Sequence, residues 1–543
     1  MTLRSILAAM LAVVILDLLL IQPNHPAAVA WDALLLFPLE LPAILLALLA
    51  LGVSRAGVAL RLALVAALTI IVVLKTADFI MFTSLNRGFN PLGDMPLVRY
   101  FYDLIVGNLG HAATIAVIVG AMLVIAGLAA ALWWAMRVWS RLLLPRPLPA
   151  LAAVAAVAAV GFVITDVGAK MGRWSTPFSY PGTAFTTRVA VERIEIAQQT
   201  IADLRVFRAA AKNDPFAGQA GLFDLLDRDV IVVFVESYGR TSLDTPLYAN
   251  LHRETLTNAQ TQLEALGLAM SSTLLASPTQ GGQSWLAHST FASGLWIADQ
   301  TSYRAALSSG RSTLFHLAGQ SGFHTAAVMP QITLDWPEAQ FMGFETILAE
   351  ADLGYAGQPF NWITMPDQFT FAAMDRLLRN QRGDDRPFFI QMALGSSHAP
   401  WVPVPEVIDW NALGDGTVFD PLVAASDPPR VVWQDNNRVR AQYRLAVDYA
   451  LQTVFAYAAL HADNPPLMII VGDHQAAGFI ALDDRPHVPM HIVGPQPLVD
   501  LLSDANFTPG LVPPETTPVR RMDLMRAHIL QALSSRLIAE VTQ

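Results

Sequence analysis

The sequence predicts two structural classes in one chain: a polytopic α-helical membrane domain of about five spans, then an extracytoplasmic α/β/α sandwich. Three observations carry this. The chain is 54% hydrophobic and only 14% charged, and the apolar excess is concentrated in its first third, which fits a membrane domain better than a soluble one. From Asp229 onward, short apolar runs of strand length alternate with helix-length segments, the pattern of an α/β/α sandwich. The arginines cluster around alternate short loops, which gives the membrane part an orientation. The expected division is residues 1–167 as the transmembrane domain, 168–227 as a helical connector, and 228–543 as the globular domain. Net charge is −10, and no lysine/arginine-rich run points to nucleic acid. The absence of Cys excludes disulfides and Cys-based zinc sites.

Five apolar stretches approach the ~20 residues a bilayer requires: 6–21, 33–53, 58–79, 112–136 and 148–167. The first has no evident cleavage site and more spans follow, so it reads as an anchor rather than a removed signal. Pro38 and Pro42 are expected to kink the second. Arg4, Arg55, Arg137, Arg141 and Arg146 flank the N-terminus and the even-numbered loops, whereas loop 22–31 has no Lys or Arg. This places the N-terminus in the cytoplasm, and an odd number of spans puts everything after Val167 outside, as in a multi-pass protein of a bacterial-type inner membrane. Lys75 and Asp78 fall near the end of the third span, where snorkelling to the interface is the simplest expectation, a functional role the other. Residues 83–103, TSLNRGFNPLGDMPLVRYFYD, are too polar to span and suit an interfacial loop or short helix.

The connector opens with Lys170, Arg173, Trp174, Phe178 and Tyr180, an interfacial mixture of cations and aromatics. Residues 187–212 then place Val191, Ile194, Ile201, Leu204 and Phe207 on roughly one helical side, which predicts a helix against the membrane surface or the globular domain. Beyond it, strands are expected at 230–235, 269–275, 324–329, 388–394 and 468–471. Helices are expected at 251–266, 285–292, 312–318, 368–380, 438–461 and 523–541. Residues 411–433 read as a long surface loop.

The chemistry gathers at strand ends and one helix start. Residues 229–240, DVIVVFVESYGR, open with an apolar run lacking alternation, the mark of a strand buried on both faces, and end in Glu236. Open α/β sheets place ligands at that end of a central strand. Residues 467–474, LMIIVGDH, have the same form and end in Asp473-His474; carboxylate and imidazole side by side suit a divalent metal. Either acid has a duller alternative, Glu236 capping a helix or pairing with Arg240. In QGGQSWLAHSTFASG, residues 280–294, Gly281 and Gly282 allow close backbone approach, and Ser284 stands at a helix start, where free N–H groups favour anions; Ser284 also suits a plain N-cap. His398, in GSSHAPW after the strand 388–394, is placed to bind a phosphate or protonate a leaving oxygen. His487, in RPHVPMHIV, is a further candidate imidazole.

Taken in order, Glu236, Gly-Gly-x-Ser284, Ser-Ser-His398 and Gly-Asp473-His474 resemble the sulfatase-like branch of the alkaline phosphatase superfamily. The anchor, surface connector and external domain resemble lipoteichoic acid synthases and related phosphoglycerol transferases. The motif resemblance covers residues 229–495. It implies a sulfatase-type fold with one divalent metal ion (Mn²⁺, Mg²⁺ or Zn²⁺) held by Glu236, Asp473 and His474 together with Ser284, and Ser284 as the nucleophile where relatives usually have Thr. It further implies His398 in the substrate site. Residues 341–347 and the Met365-Pro366-Asp367 turn look like family features. Trp336 resembles the family's glycerophosphate-binding Trp, but Pro337 and Glu338 follow it and no Arg aligns.

The expected reaction is transfer of a phospholipid headgroup, phosphoglycerol first, from a lipid donor through a covalent Ser284 intermediate to an extracytoplasmic glycan or lipid acceptor. A phosphoethanolamine transferase shares anchor and metal site, but its external domain usually carries disulfides and a Thr nucleophile. A sulfatase needs formylglycine from a C/S-x-P-x-R motif, which Ser277-Pro278 does not provide. A non-catalytic membrane scaffold is the remaining alternative; loss of a ligand would favour it, and the candidate ligands are intact.

Overall fold

The computed structural model describes residues 2–537 apart from Leu143, Phe178 and Ser179. Phe178 of the expected interfacial aromatics and the last residues of the expected helix 523–541 lie outside the described residues. The chain divides into two compact units, Met1–Thr83 with Arg87–Asp203, and Ser84–Asn86 with Leu204–Gln543.

In the first unit the helices are α1 (Leu3–Ile21), α2 (Glu40–Leu51), α3 (Arg55–Leu85), α4 (Leu97–Ser140), α5 (Leu148–Lys170) and α6 (Phe185–Lys212). Among the described residues, four helical stretches are long and apolar enough to cross a membrane: α1, α3, α5 and the part of α4 from Gly110 to Ser140. Gly110 has φ 77° and breaks α4 there. The second expected span, 33–53, is corrected. It is a 3₁₀ turn, Trp31–Leu35, followed by the 12-residue α2, only ~18 Å long at 1.5 Å per residue. Pro38 precedes α2, which starts only at Glu40, so no continuous helix covers the stretch.

The contacts at the helix ends give the helix directions. Lys75 Nζ, late in α3, donates to Leu20 O at the end of α1 (3.0 Å). At the opposite ends, Trp139 Nε1 donates to Ala9 O (3.3 Å) and Arg61 Nη1 to Ser140 Oγ (2.9 Å). Thus α1 and α3 run parallel, with α4 opposed, and the chain from Gln22 to Ser54 must return between them. At the Lys75 end, Glu40 Oε1 accepts the Thr187 N–H (2.8 Å) and Asp166, late in α5, accepts the Ala184 N–H (2.7 Å). So α5 ends on the side where α1 ends.

Lys75 and Asp78 do not snorkel. Both are 0% exposed. Lys75 also donates to Thr186 Oγ1 (2.7 Å), and Asp78 pairs with Arg193 (3.2 Å) and accepts the Phe89 N–H (2.9 Å). The reason is that α3 continues to Leu85, six residues past its expected end; both charges therefore lie within the helix, facing protein rather than its mouth. Residues 83–103 leave α3 through a turn closed by the Arg87–Asp94 pair (2.7 Å) and re-enter helix at Leu97.

The second unit is built on a nine-stranded sheet: β1 (Val230–Val235), β2 (Ala269–Ala276), β3 (His324–Met329), β4 (Thr346–Ala349), β5 (Phe388–Ala393), β6 (Leu467–Gly472), β7 (His487–Gly494), β8 (Thr508–Pro509) and β9 (Val519–Arg521). The order is β4-β3-β5-β1-β6-β7-β2-β8, with β9 also on β2. From β4 to β6 the pairs are parallel; β7 is antiparallel to both β6 and β2. Every residue of β1 is buried. Ile231, Val233 and Val235 enter one core with the helices Pro246–Ala265 and Asn436–Leu460, while Val230, Val232 and Phe234 enter another with the helices Ser284–Ser293 and Met525–Ala532. Two cores explain why β1 shows no alternation.

All five expected strands form. The sheet also takes in β4 and β7–β9, of which β7 falls where the sequence offered only candidate imidazoles. The expected loop 411–433 is corrected as well. It contains the helical turns Thr417–Phe419, Asp420–Ala425 and Pro429–Val432, and buries Leu413 and Phe419 in a small core with Phe360 and Ile363.

Candidate active site

The carboxyl ends of β1, β5 and β6 lie side by side, since β1 sits between the other two in register Phe234↔Ala393 and Val235↔Gly472. Each strand runs out into polar residues at this edge: Glu236 after β1, Ser396-Ser397-His398 after β5, Asp473-His474 after β6. Because β2 runs in the same direction as β6, its following loop reaches the same edge. Ser277 Oγ donates to Asp473 O (2.6 Å), and Gly281 N–H donates to Gln475 O (2.7 Å). Gly281 has φ 76° and Gln283 φ 66°; this left-handed entry delivers Ser284 as the first residue of its helix, with Gln283 as N-cap. Ser284 therefore does not cap. Its hydroxyl instead donates to Glu236 Oε2 (2.8 Å) and lies 3.3 Å from His474 Nε2.

Glu236, Asp473 and His474 each offer a ligand atom within 4.8 Å of the others. His474 Nε2 is 3.1 Å from Glu236 Oε1 and 3.9 Å from Asp473 Oδ2. Glu236 does not pair with Arg240, which holds Asp244 (2.6 Å). The imidazole is oriented for ligation: its Nδ1 faces Gln475 O (3.0 Å), and a carbonyl only accepts, so Nδ1 carries a proton and Nε2 is turned toward the two acids. Ser237, at φ 56°, turns the chain so that its N–H donates to Asp473 Oδ1 (2.9 Å) and its hydroxyl to Glu236 Oε1 (3.1 Å). A strained backbone kept at a strand end has its place at functional sites.

Electrostatics fit a cation. Burial, then the neighbouring Glu236, push the Asp473 carboxyl well above its ordinary range. Burial also pushes Glu236 up, but the charge and hydrogen bond of His474 outweigh it and hold Glu236 low, with His398 adding to the effect. For His474, burial opposes the charge, yet Asp473 and Glu236 raise it to about 9. Two buried acids thus draw a proton onto the imidazole where a divalent ion would otherwise balance them. Two carboxylates and one imidazole suit Mn²⁺, Zn²⁺ or Mg²⁺.

Of the remaining sequence candidates, His398 lies in the turn after β5, its Nδ1 hydrogen-bonded to Ala399 O (2.5 Å), which leaves Nε2 available. Two candidates are not brought to this cluster by any contact among the described residues. His487 opens β7, and its surroundings are Arg240, Arg485, Asp483 and Asp244; the strand itself fixes its place. Trp336 precedes the 3₁₀ turn Pro337–Phe341 and packs on Phe344, ring centroids 6.3 Å apart. Sequence reasoning missed Ser237, Gln475 and His288. His288 lies one helical turn beyond Ser284, stacks on Phe234 at 4.0 Å, and is lowered to about 4 by burial, which leaves it a neutral imidazole. The i,i+4 spacing from Ser284 was its one available signal.

Fold and site together define a class: an α/β/α domain with a candidate metal centre at the carboxyl edge of its central strands. Residues 228–490, just under half of the chain, match the family model described as Sulfatase. No curated protein matches the chain. Among solved structures, the chain is similar to the lipooligosaccharide phosphoethanolamine transferase A of Neisseria meningitidis, with 12% identity over 96% of each chain and a TM-score of 0.48. It is also similar to the Streptococcus pyogenes phosphoglycerol transferase GacH, with 14% identity over 63% of this chain and 81% of that one and a TM-score of 0.36. The lipoteichoic acid synthase LtaP of Listeria monocytogenes gives 13% identity over 54% and 70%, with a TM-score of 0.36.

Proposed function

We propose that the protein is a membrane-anchored, metal-dependent phosphotransferase that moves a phospholipid headgroup, phosphoglycerol first, to an extracytoplasmic glycan or lipid. The observation that carries this is the Ser284 hydroxyl held between Glu236 Oε2 (2.8 Å) and His474 Nε2 (3.3 Å). That geometry aims a nucleophile at the candidate metal centre instead of spending the hydroxyl on a cap. A divalent ion bound by Glu236, Asp473 and His474 would favour the Ser284 alkoxide and offset charge on the phosphoryl oxygens.

Ser284 Oγ attacks the phosphodiester phosphorus. The Oγ–P bond forms as the bond from phosphorus to the diacylglycerol oxygen breaks, and His398 Nε2 supplies the proton that diacylglycerol takes away. The acceptor hydroxyl then attacks the phosphorus of the glycerophosphoryl-Ser284 diester, gives its proton back to His398 Nε2, and the P–Oγ bond breaks to free Ser284. Backbone N–H groups at the helix start assist at the phosphoryl oxygens. A Cys-free domain is unlike the external domain of phosphoethanolamine transferases, which usually carries disulfides, and this favours phosphoglycerol and phosphatidylglycerol as donor. The orientation expected from the arginines supports a globular domain outside the cytoplasm.

The test uses detergent-purified protein with fluorescent phosphatidylglycerol or phosphatidylethanolamine. A phosphoglycerol adduct on Ser284, mapped by mass spectrometry, is expected with the first lipid. Ser284→Ala should keep its fold and lose roughly three orders of magnitude or more in turnover, while Ser284→Thr keeps part of it. An adduct on Thr279, Ser289 or Thr290, or near-normal turnover in Ser284→Ala, overturns the covalent mechanism.

A further inference from the structure

The turn that carries His398 is held by one buried carboxyl. Asp367, the first residue of the helix Asp367–Met374, is 0% exposed. Its Oδ1 accepts the N–H groups of both Gly395 and Ser396, each at 2.8 Å, and its own N–H donates to Ser396 Oγ (2.9 Å). The His398 N–H closes the same turn onto Gly395 O (2.9 Å). On the far side, Ser397 Oγ donates to Glu236 O (2.6 Å), and Trp401 Nε1 to Ser397 O (2.7 Å). A Cβ on Gly395 would lie 2.0 Å from Gln331 Nε2, so the Gln331 side chain would have to shift. The turn is thus tied to Asp367 on one side and to the end of β1 on the other.

We propose that Asp367 is a positioning residue: as a carboxylate, it fixes the Gly395–Ser396 turn so that His398 is presented to the candidate metal centre. The proposal rests on the role of His398 in the transfer reaction. Three observations make the carboxylate, and not merely a buried acceptor, the working form. N–H bonds to an ionised acceptor are about twice as strong as neutral ones. Asp367 Oδ2 has no hydrogen-bond partner among the described residues, so Oδ2 is where a proton would settle. Tyr449, on the helix Asn436–Leu460, faces Asp367 with its hydroxyl on the Gln368 N–H (3.3 Å); burial, with Asp367 adding to it, raises that phenol, so it stays neutral. His398 is the titratable group of the turn itself, two residues beyond Ser396.

Burial raises the Asp367 carboxyl to about 6, against the hydrogen bonds from Ser396 and Gly395 that lower it. Acidification through that range weakens the grip on the turn. The sign for stability is opposite. A carboxyl whose folded value lies above its unfolded value of 3.8 favours the folded state more as pH falls. Loosening of the turn is therefore separable from unfolding.

The experiment compares full-length wild type, Asp367→Asn and Asp367→Ala in detergent with Mn²⁺. Three readouts are taken at pH 7.5 and 5.5: deuterium exchange of the peptide 394–401 corrected for intrinsic rate, reaction of His398 with diethyl pyrocarbonate, and turnover of fluorescent phosphatidylglycerol. In wild type, corrected exchange should rise about tenfold at pH 5.5 with turnover falling in step. Asp367→Asn, which retains an Oδ1 acceptor, should hold intermediate exchange and lose the pH response. Asp367→Ala should exchange fast at both pH values with metal content unchanged. Wild-type exchange in Asp367→Ala, or a wild-type pH response in Asp367→Asn, overturns the proposal; should the Ala variant fail to fold, the Asn variant decides alone. If exchange behaves as stated, and His398 reacts faster wherever exchange is faster, while no variant turns over the lipid, the transferase reading fails and the role of Asp367 stands.

Discussion

His474 illustrates how a residue's chemistry is set by its neighbours. With its Nδ1 bound to Gln475 O and its Nε2 facing Glu236, it is raised to about 9 in the metal-free protein, the two acids outweighing burial. At pH 7.5 the ring is therefore protonated, and a divalent ion must displace that proton. Metal titration should release about one proton, read by calorimetry in two buffers of different ionisation enthalpy; an enthalpy independent of buffer would remove His474 from the ligand set. The stability sign follows from linkage. The folded value exceeds the unfolded 6.5, so the stabilisation is complete below 6.5 and lost as pH rises through about 9. Metal-free protein should lose stability over that window in thermal melts, and metal-loaded protein should not.

At the scale of elements, the site depends on how closely β6 approaches the turn after β1. A Cβ on Gly472, the last residue of β6, would lie 1.9 Å from Tyr238 O. Gly472→Ala removes no ligand, yet it should drive the two strand ends apart, cost about 1–3 kcal/mol, and weaken metal binding measured by chelator competition. Unchanged affinity would mean the strand ends adapt freely. In the first unit, Asp78 on α3 pairs with Arg193 on α6, both nearly buried. Asp78→Ala leaves the guanidinium unpaired and should cost about 3–5 kcal/mol, seen as a lower melting temperature in detergent. Asp78→Ala with Arg193→Leu should recover much of it; no recovery would make the Phe89 and Asn24 contacts of Asp78 the larger part.

For the whole molecule, the prediction is one of sides. α1 and α3 run parallel and α5 ends where α1 ends, although α2 spans only ~18 Å as a helix; the orientation expected from the arginines puts the C-terminus outside. A reporter fused after Gln543 should work only if it is of the type active outside the cytoplasm. Activity of a cytoplasmic-type reporter would sink both the orientation and the access to an external lipid donor.

Residue type and order alone determined the two-part architecture, the five principal strands, and the set Glu236, Ser284, His398, Asp473 and His474. Each of these stands where a long apolar run stops, and burial on both faces leaves so plain a mark that neighbouring polar residues read as a site. What only the tertiary structure decided lies in contacts distant along the chain. Lys75 and Asp78 are buried because α6 covers them, and α6 is more than a hundred residues away. Ser284 is a nucleophile candidate and not a cap because Gln283 turns left-handed and Glu236 receives the hydroxyl. The places of His487 and Trp336 are set by pairing of β7 with β2 and by the Phe344 contact, neither of which can be read from the local sequence. Local pattern encodes which residues are buried or at an edge; it does not encode which edge meets which, since that follows from strand order and helix packing across hundreds of residues.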